Sequence, residues 1–390
     1  MVEPCSRLTW MALSLLPASP GTLRKALEAA GDDPDAALAH LSRQPETLKR
    51  LAEELRPRLE AAQIQVLTLD DAAYPALLKE IHDPPPVLYL RGEIVEDDDP
   101  AVAIVGSRRA SPYGLAMARI LARDLAAGGV TVVSGLARGI DAAAHGGALA
   151  ATGGRALAVL GSGPDVIYPP EHRRLAAAVA ARGALLSELP PGTPPLARHF
   201  PWRNRIISGL ARGVVVVEAA AGSGSLITAR LALDQGREVY AVPGPVTAPG
   251  SHGTHDLLRA GARITTSAAD VVEEFPADII RRIARRLASR RQTPPPDLEP
   301  TAREVWNALD PAVSSSIDDL ARHTGLAIPA LVSALLGLEL RGLARAFPGP
   351  RYGRGGLQEG QVSYIDTASG PNSDPHDAGS PPAGIGTREP

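Results

Sequence analysis

The stretch Ala101-Val102-Ala103-Ile104-Val105-Gly106-Ser107-Arg108 decides the fold. Its five apolar residues suit both faces of a strand, as in a parallel sheet covered by helices on each side. Amphipathic helical patterns at 115–127, 175–181 and 225–235 separate later runs of the same kind. These runs are 130–133, 156–160, 184–186, 214–217, 239–242 and 263–266. The alternation predicts a doubly wound α/β domain over residues 99–278.

The chain on either side of this domain has a different pattern. Residues 1–62 carry apolar residues at helical spacing and predict a small, separate helical domain. Apolar runs within 63–98 predict a strand-containing extension of the central sheet. Residues 279–300 predict a basic helix followed by a proline-rich linker. We expect a winged-helix domain over 301–353, from three helices and a hairpin, and a disordered tail over 354–390.

Composition limits the classes of function. The chain has 390 residues and a net charge of −3, so a nucleic-acid site must be a local cluster of cations. Cys5 is the only cysteine, which excludes a disulfide framework and a zinc–thiolate cluster. No apolar run reaches the ~18 residues that a membrane helix needs. These features predict a cytoplasmic protein without membrane association.

Small and charged residues follow several of the predicted strands. Gly106, Ser107 and Arg108 follow the first strand, and the others are Ser134, Gly135, Arg138, Ser223, Gly224 and Ser225. The carboxyl ends of parallel strands meet at one edge, where glycine turns and helix starts favour anions. Asp141, His145 and Glu218 are supporting candidates. Asp141 and His145 fit a helix-start interaction or catalysis, and Glu218 could hold an arginine.

One segment is rich in arginine and has no acidic residue between Glu188 and Glu218. It contains Arg198, Arg203, Asn204, Arg205 and Arg212. Arginines without a nearby counterion indicate that an anion completes the site. We therefore expect Arg203, Asn204 and Arg205 to contact phosphate, and more specifically a nucleic-acid backbone.

The motifs of common nucleotide enzymes are missing from the sequence. The glycine patterns at 106–108 and 161–163 do not match the dinucleotide fingerprint, and there is no Walker-type phosphate loop. A nucleophile elbow and metal-ligand spacings are missing as well. The sequence therefore predicts neither a catalytic residue, nor a cofactor, nor a metal.

Several separated motifs in this order closely resemble the DprA/Smf family, the bacterial DNA-processing proteins of natural transformation. The motifs are 106–108, 134–141 with His145, 168–169, 187–188, 200–210, 223–229 and 242–244. The resemblance covers about residues 64 to 275. It implies a Rossmann-like domain that binds single-stranded DNA, with a SAM-like helical domain before it and a winged helix after it.

The resemblance also implies partners and residue roles. Members dimerise, protect incoming single-stranded DNA and load the recombinase RecA onto DNA coated by single-strand-binding protein. Arg108, Arg138, Arg203 and Arg205 would take backbone phosphates. The turns at Gly106, Gly135 and Gly224 would supply amide donors.

Two alternatives stay open on the residues alone. The first is a nucleotide-processing enzyme of the lysine-decarboxylase-like or phosphoribohydrolase type, which has a similar sheet. The second is a regulator that binds duplex DNA through the winged helix. Aromatic residues make up only 3% of the chain, so binding is expected to be mostly electrostatic and strongly dependent on salt.

Overall fold

The computed structural model describes residues 4–292, 297–310 and 313–354. It forms two compact units, one up to residue 287 and one from residue 288. The boundary falls within the predicted basic helix and linker. The predicted disordered tail, apart from Arg354, lies outside the described residues.

The first unit begins with five helices. Proline at the first position of α2 to α4 suits the first helical turn, where its missing N–H costs nothing. The Ser19 and Asp33 side chains cap α2 and α3 by accepting backbone N–H groups. The helices are α1 (Pro4–Ser14), α2 (Pro20–Ala29), α3 (Pro34–Leu41), α4 (Pro45–Glu54) and α5 (Arg56–Ala61).

These helices share one continuous core with the sheet that follows. Trp10 and Leu13 are buried in the same cluster as Tyr89. Ser14 and Tyr89 share a hydrogen bond of 2.7 Å between their hydroxyl oxygens. The helical domain predicted over 1–62 therefore shares its core with the sheet, and its standing as a domain of its own stays a prediction. Apolar spacing shows that a helix has a buried face, but not which element covers that face.

The central sheet has nine strands in the order β1-β2-β6-β5-β4-β3-β7-β8-β9. The strands are β1 (Ile64–Thr68), β2 (Val87–Gly92), β3 (Ala101–Val105), β4 (Thr131–Ser134), β5 (Ala156–Val159), β6 (Gly183–Ser187), β7 (Gly213–Val216), β8 (Glu238–Ala241) and β9 (Arg263–Ile264). The remaining helices of this part are α6 (Ala76–Lys79), α7 (Pro112–Ala127), α8 (Ile140–Ala150), α9 (Arg173–Ala181), α10 (His199–Gly209), α11 (Gly224–Asp234), α12 (His252–Arg259), α13 (Ala268–Val272) and α14 (Ala277–Gln292).

Strand order creates a crevice beside β3. Strands β3 to β9 pair in parallel, while β2 pairs antiparallel with β6 and β1 with β2. From β3 the chain proceeds to β4, β5 and β6 on one side, and then returns to β7 on the other. Such a switch point leaves room between the loops that follow the two strands. The predicted doubly wound α/β fold is confirmed.

Strand β3 is buried on both faces, as its sequence predicts. Ala101, Ala103 and Val105 pack into one core cluster, whereas Val102 and Ile104 pack into the other. Successive side chains of a strand point to opposite faces, so β3 contributes to both layers of helices. The loop that follows β3 is therefore held on a rigid support.

The second unit is the predicted winged helix. Its helices are α15 (Pro300–Ala308), α16 (Ile317–Thr324) and α17 (Ile328–Leu340), and its strands are β10 (Ser315–Ser316), β11 (Ala344–Phe347) and β12 (Arg351–Arg354). The strands form a sheet in the order β10-β12-β11. Val305, Trp306, Leu331 and Leu335 lie in a core of its own.

Among the described residues, no individual helix combines the length and the apolar character required to cross a membrane. Helices α16 and α17 meet the criterion only as a pair, by length and composition, and they are bent by 109°.

Candidate nucleic-acid interface

A groove of about 770 Å³ opens at the switch point between β3 and β7. One wall is the loop 106–109, and another is the segment 220–225 that leads into α11. Phe200, Arg203 and Asn204 of α10 also line the groove. Residues that are about one hundred positions apart in sequence thus meet at one edge of the sheet.

Glu218 fixes the loop that follows β3. Its carbonyl oxygen accepts the Ser107 N–H at 2.7 Å, and its carboxylate accepts the N–H and the hydroxyl of Ser111 at 3.0 and 2.7 Å. A Cβ atom at Gly106 would lie 2.8 Å from the same carbonyl oxygen, so glycine is required there. Glu218 therefore supports the wall of the groove, and its partner is a serine rather than an arginine.

Arg108 and Arg109 are the exposed cations of the wall that follows β3. Within the parts of the chain that the structure describes, neither guanidinium forms an ion pair. Arg108 lies over the Phe200 ring, 5.2 Å from its centroid, and this contact orients the side chain. Both charges are therefore available to an anion in the groove.

Arg203 contributes a third positive charge, at the base of the groove. Only 4% of the residue is exposed, and its guanidinium donates to the carbonyl oxygens of Gly135, at 2.7 Å, and Val159. Burial lowers the pKa of Arg203 to about 10, an effect opposed by Asp141 and reinforced by Arg108. The side chain is thus charged at neutral pH, and no carboxylate in the described ranges lies within ion-pair distance of it.

The start of the turn after β4 supports Arg203. A Cβ atom at Gly135 would lie 2.5 Å from the Arg203 guanidinium, so this position must be glycine. The Gly135 N–H donates to Asp141 at 3.1 Å, and the buried Ser134 hydroxyl donates to the Ile104 carbonyl at 2.6 Å. The predicted DNA contacts of Ser134 and of the Gly135 amide stay predictions, and these internal hydrogen bonds argue against them.

Asp141 and His145 do not form an acid–base pair. Asp141 accepts the Gly135 and Ala137 N–H groups, and burial raises its pKa. His145 is fully buried, and neither of its ring nitrogens has a hydrogen-bond partner among the described residues. Burial, with the nearby charge of Arg203, lowers the pKa of His145 to about 3, so the ring is neutral. His145 lies beneath the groove as support, whereas Asp141 also borders it.

Arg205 points away from the groove. Its guanidinium forms two bonds of 3.0 and 2.7 Å to the Glu188 carboxylate and a third, of 3.1 Å, to Asp83. Burial acts to lower the pKa of Arg205, but these carboxylates outweigh it and raise the pKa. The predicted phosphate contact of Arg205 stays a prediction, and the two carboxylates that hold the guanidinium argue against it. Arg212 likewise pairs with Asp99 at 2.6 Å, so this segment does have counterions.

Arg138 borders a narrow slot beside the groove, together with Arg108, Tyr168 and Phe200. Its Nε atom lies 2.6 Å from a carboxylate oxygen of Glu171, and both side chains are about half exposed. The Tyr168 and Phe200 rings are tilted, with centroids 5.8 Å apart. Sequence reasoning missed Tyr168, Phe200 and Arg109 as site residues, although the first two stand in quoted motifs and the third follows Arg108 directly.

The opposite wall is the start of α11. The Ser223 side chain caps this helix by accepting the Ser225 N–H at 3.4 Å, and a Cβ atom at Gly224 would meet only open space. The Asn204 side chain donates to the Gly224 carbonyl at 3.4 Å and links α10 to this turn. The N-terminus of a helix favours negative charge, which agrees with the predicted role of 223–225.

The sequence matches the family model of DNA recombination-mediator protein A over residues 65–276. The chain belongs to this family. The model of the DprA winged helix domain also matches residues 289–350. The DprA family is involved in DNA processing and recombination, and the groove lies entirely within the first matched segment.

Known relatives of the DprA family agree with this assignment. The chain is 42% identical to protein Smf of Escherichia coli over 292 residues, which is 75% of this chain and 78% of that protein. It is 46% identical to DNA processing protein DprA of Streptococcus pneumoniae over 207 residues, 53% of this chain and 72% of that one. The X-ray structure of the Streptococcus pneumoniae protein aligns with a TM-score of 0.60 at 37% identity, covering 68% of this chain and 96% of that one.

The groove of this DprA-family chain brings most of the predicted residues together. Those that line it are Gly106, Ser107, Arg108, Asp141, Arg203, Asn204, Ser223, Gly224 and Ser225. Gly135 and Arg138 border the adjoining slot. Neither lining includes Ser134, His145, Arg205 or Glu218. The candidate interface is therefore a cationic groove with two aromatic rings.

Proposed function

We propose that this DprA-family protein binds single-stranded DNA in the groove and mediates recombination. The observation that carries the proposal is the charge of the groove. Arg108, Arg109 and Arg203 have no carboxylate partner among the residues the structure describes, and one of them is buried. An unpaired buried charge is costly, and a phosphate at the groove would offset that cost.

The chemistry of the lining favours a single strand. Tyr168 is 40% exposed and offers a ring surface on which an unpaired base can stack, whereas the bases of a duplex are already stacked. Phe200 packs against Tyr168 and lies beneath the Arg108 guanidinium. Arginine and the α11 amides would take the phosphates, with Arg138, Ser223, Gly224 and Ser225 around them. Tyr168 would add stacking to a binding mode that the low aromatic content predicted to be mostly electrostatic.

The wider role is proposed from the family resemblance. It comprises protection of incoming DNA in natural transformation and loading of RecA onto DNA coated by single-strand-binding protein, by a cytoplasmic homodimer. We propose no catalytic role. The bonding of Asp141 to two backbone N–H groups and the complete burial of His145 support binding rather than acid–base chemistry.

A titration of fluorescent oligo-dT tests the proposal. Three phosphate contacts give a slope of about −2 in log affinity against log salt, so a fourfold rise in salt should weaken binding about 20-fold. A flat salt response would contradict the groove mode. Preference for duplex DNA would favour the winged-helix regulator, and release of free base from nucleoside monophosphates would favour the nucleotide enzyme.

The Glu171→Gln variant is expected to bind oligo-dT about threefold more tightly. Glu171 holds Arg138 at the slot, and its pKa is lowered by a backbone hydrogen bond and by Arg138, so at neutral pH this carboxylate competes with phosphate. Glu53→Gln is the matched control, since Glu53 forms a similarly exposed pair with Arg56 at 2.9 Å. Equal affinities of both variants and the parent would show that Glu171 does not compete.

A further inference from the structure

Helix α17 of the winged helix carries an exposed apolar ridge. Its members repeat every four residues, so they form one row along the helix surface. They are Ile328, Val332, Leu336 and Leu340, which are 53, 39, 55 and 81% exposed. Leu331, Leu335 and Leu338 already bury the opposite side of the helix in the core. The ridge is therefore not needed to fold the module.

This face lacks the charge that a nucleic-acid contact needs. Glu339 is the only charged residue between Thr324 and Arg341. A helix that reads DNA presents cations and polar groups to it, whereas the centre of a protein interface is depleted of charge. The chemistry of α17 is therefore that of a protein interface.

A shallow groove runs beside the ridge, at Ser333 and Gly337. Both residues are exposed, and a Cβ atom at Gly337 would meet nothing within 4 Å. The module's own packing therefore does not require glycine at this position, and glycine weakens the interior of a helix. Glycine at this position would allow the backbone of a second helix to approach closely.

We propose that α17 packs through this exposed face against α17 of a second copy of this chain, about a two-fold axis that crosses the face at the level of residue 334. The ridge of each helix would lie in the groove of the other, at the crossing angle of about −50° that rows of this spacing favour. Because a two-fold contact uses the same patch on both copies, a face with its own ridge and groove can be complementary to itself.

Charge also fits an antiparallel pair. With the axis at this level, Glu339 of one copy lies opposite the first turn of the other α17, where Pro329 has no N–H to donate but the neighbouring Ile328 and Ala330 do. The free N–H groups of a first helical turn favour a carboxylate. The only charged residue of the face thus meets a complementary end.

The area of the ridge indicates how the contact is maintained. Its four side chains expose on the order of 400 Å², about half of the ~800 Å² per partner in a standard stable interface. Two isolated modules would associate weakly. The inference therefore rests on the homodimer of the proposed function, which would hold the two modules at a high effective concentration.

Cross-linking of the full chain tests the contact. In a Cys5→Ser background, Ser333→Cys lies beside the axis, and Thr301→Cys places an equally exposed control at the start of α15. A short bis-maleimide should yield at least fivefold more covalent dimer at position 333. Adding Val332→Glu and Leu336→Glu should reduce this yield to the control level, while the mass by light scattering and oligo-dT affinity stay unchanged.

The outcomes separate the two proposals. A dimeric mass with equal cross-linking at positions 333 and 301, or cross-linking that the two glutamates leave intact, overturns the α17 contact alone. A monomeric mass without cross-linking overturns both the contact and the homodimer.

Discussion

Replacing Arg108 and Arg109 together with alanine is expected to weaken oligo-dT binding about 100-fold at low salt. Each charge-assisted hydrogen bond contributes about 1.5 kcal/mol, and two such losses give this factor. Both side chains are exposed and unpaired within the described residues, so the variant should fold normally. Fluorescence anisotropy measures the affinity, and far-UV circular dichroism checks the fold.

The matched control replaces Arg281 and Arg285 on α14, which are also exposed and remove the same charge. We expect their loss to weaken binding less than threefold, because α14 packs against Gly128 and Gly129, at the amino-terminal edge of the sheet. Equal losses in both double variants would move the binding surface from the groove to α14.

The Arg205→Ala variant is expected to lower the free energy of unfolding by about 3–5 kcal/mol. The substitution leaves the carboxylates of Glu188 and Asp83 without their shared cation, and the Glu188 side chain is only 13% exposed. Urea denaturation measures the loss, and the fraction that stays folded should still bind oligo-dT.

Arg212→Ala is the control for this prediction. Arg212 comes from the same arginine-rich segment, but its partner Asp99 is 49% exposed, and such pairs contribute less than about 1 kcal/mol. If Arg205→Ala kept full stability and lost only DNA binding, Arg205 would be a phosphate ligand, as the sequence first indicated.

Much of the fold could be predicted because the residues of a parallel strand indicate whether both of its faces are buried. The run Ala101–Val105 is apolar on both faces, and a position between two layers of helices is the arrangement that buries both. The attachment of α1 to the sheet could not be predicted in this way. Trp10 and Tyr89 share a core, but nothing local to either residue specifies the other.

The position of the candidate site could be predicted from the sequence, but the contacts of its individual residues could not. Residues at strand ends converge by topology, so Arg108 and Ser223 could be placed together from the order of elements. Which arginines have partners depends on contacts that are distant in sequence. The acidic partners of Arg205 are 17 and 122 positions away, beyond the stretch that had no acidic residue.

The aromatic residues show that the composition of the whole chain does not predict the composition of one site. A content of 3% predicted that stacking surfaces would be scarce everywhere. The fold nevertheless brings Tyr168 and Phe200 together beside the arginines, with centroids 5.8 Å apart. Composition describes the whole chain, whereas a binding site depends on a few residues that the fold concentrates.

The exposed and the buried arginines of the groove would act at different stages of anion binding. Mobile ions screen Arg108 and Arg109, which face the solvent and therefore govern how quickly an anion arrives. Mobile ions screen Arg203 much less, because protein surrounds its guanidinium and Gly135 packs directly against it. In the proposed binding mode its field would persist at high ionic strength and favour retention of a bound anion.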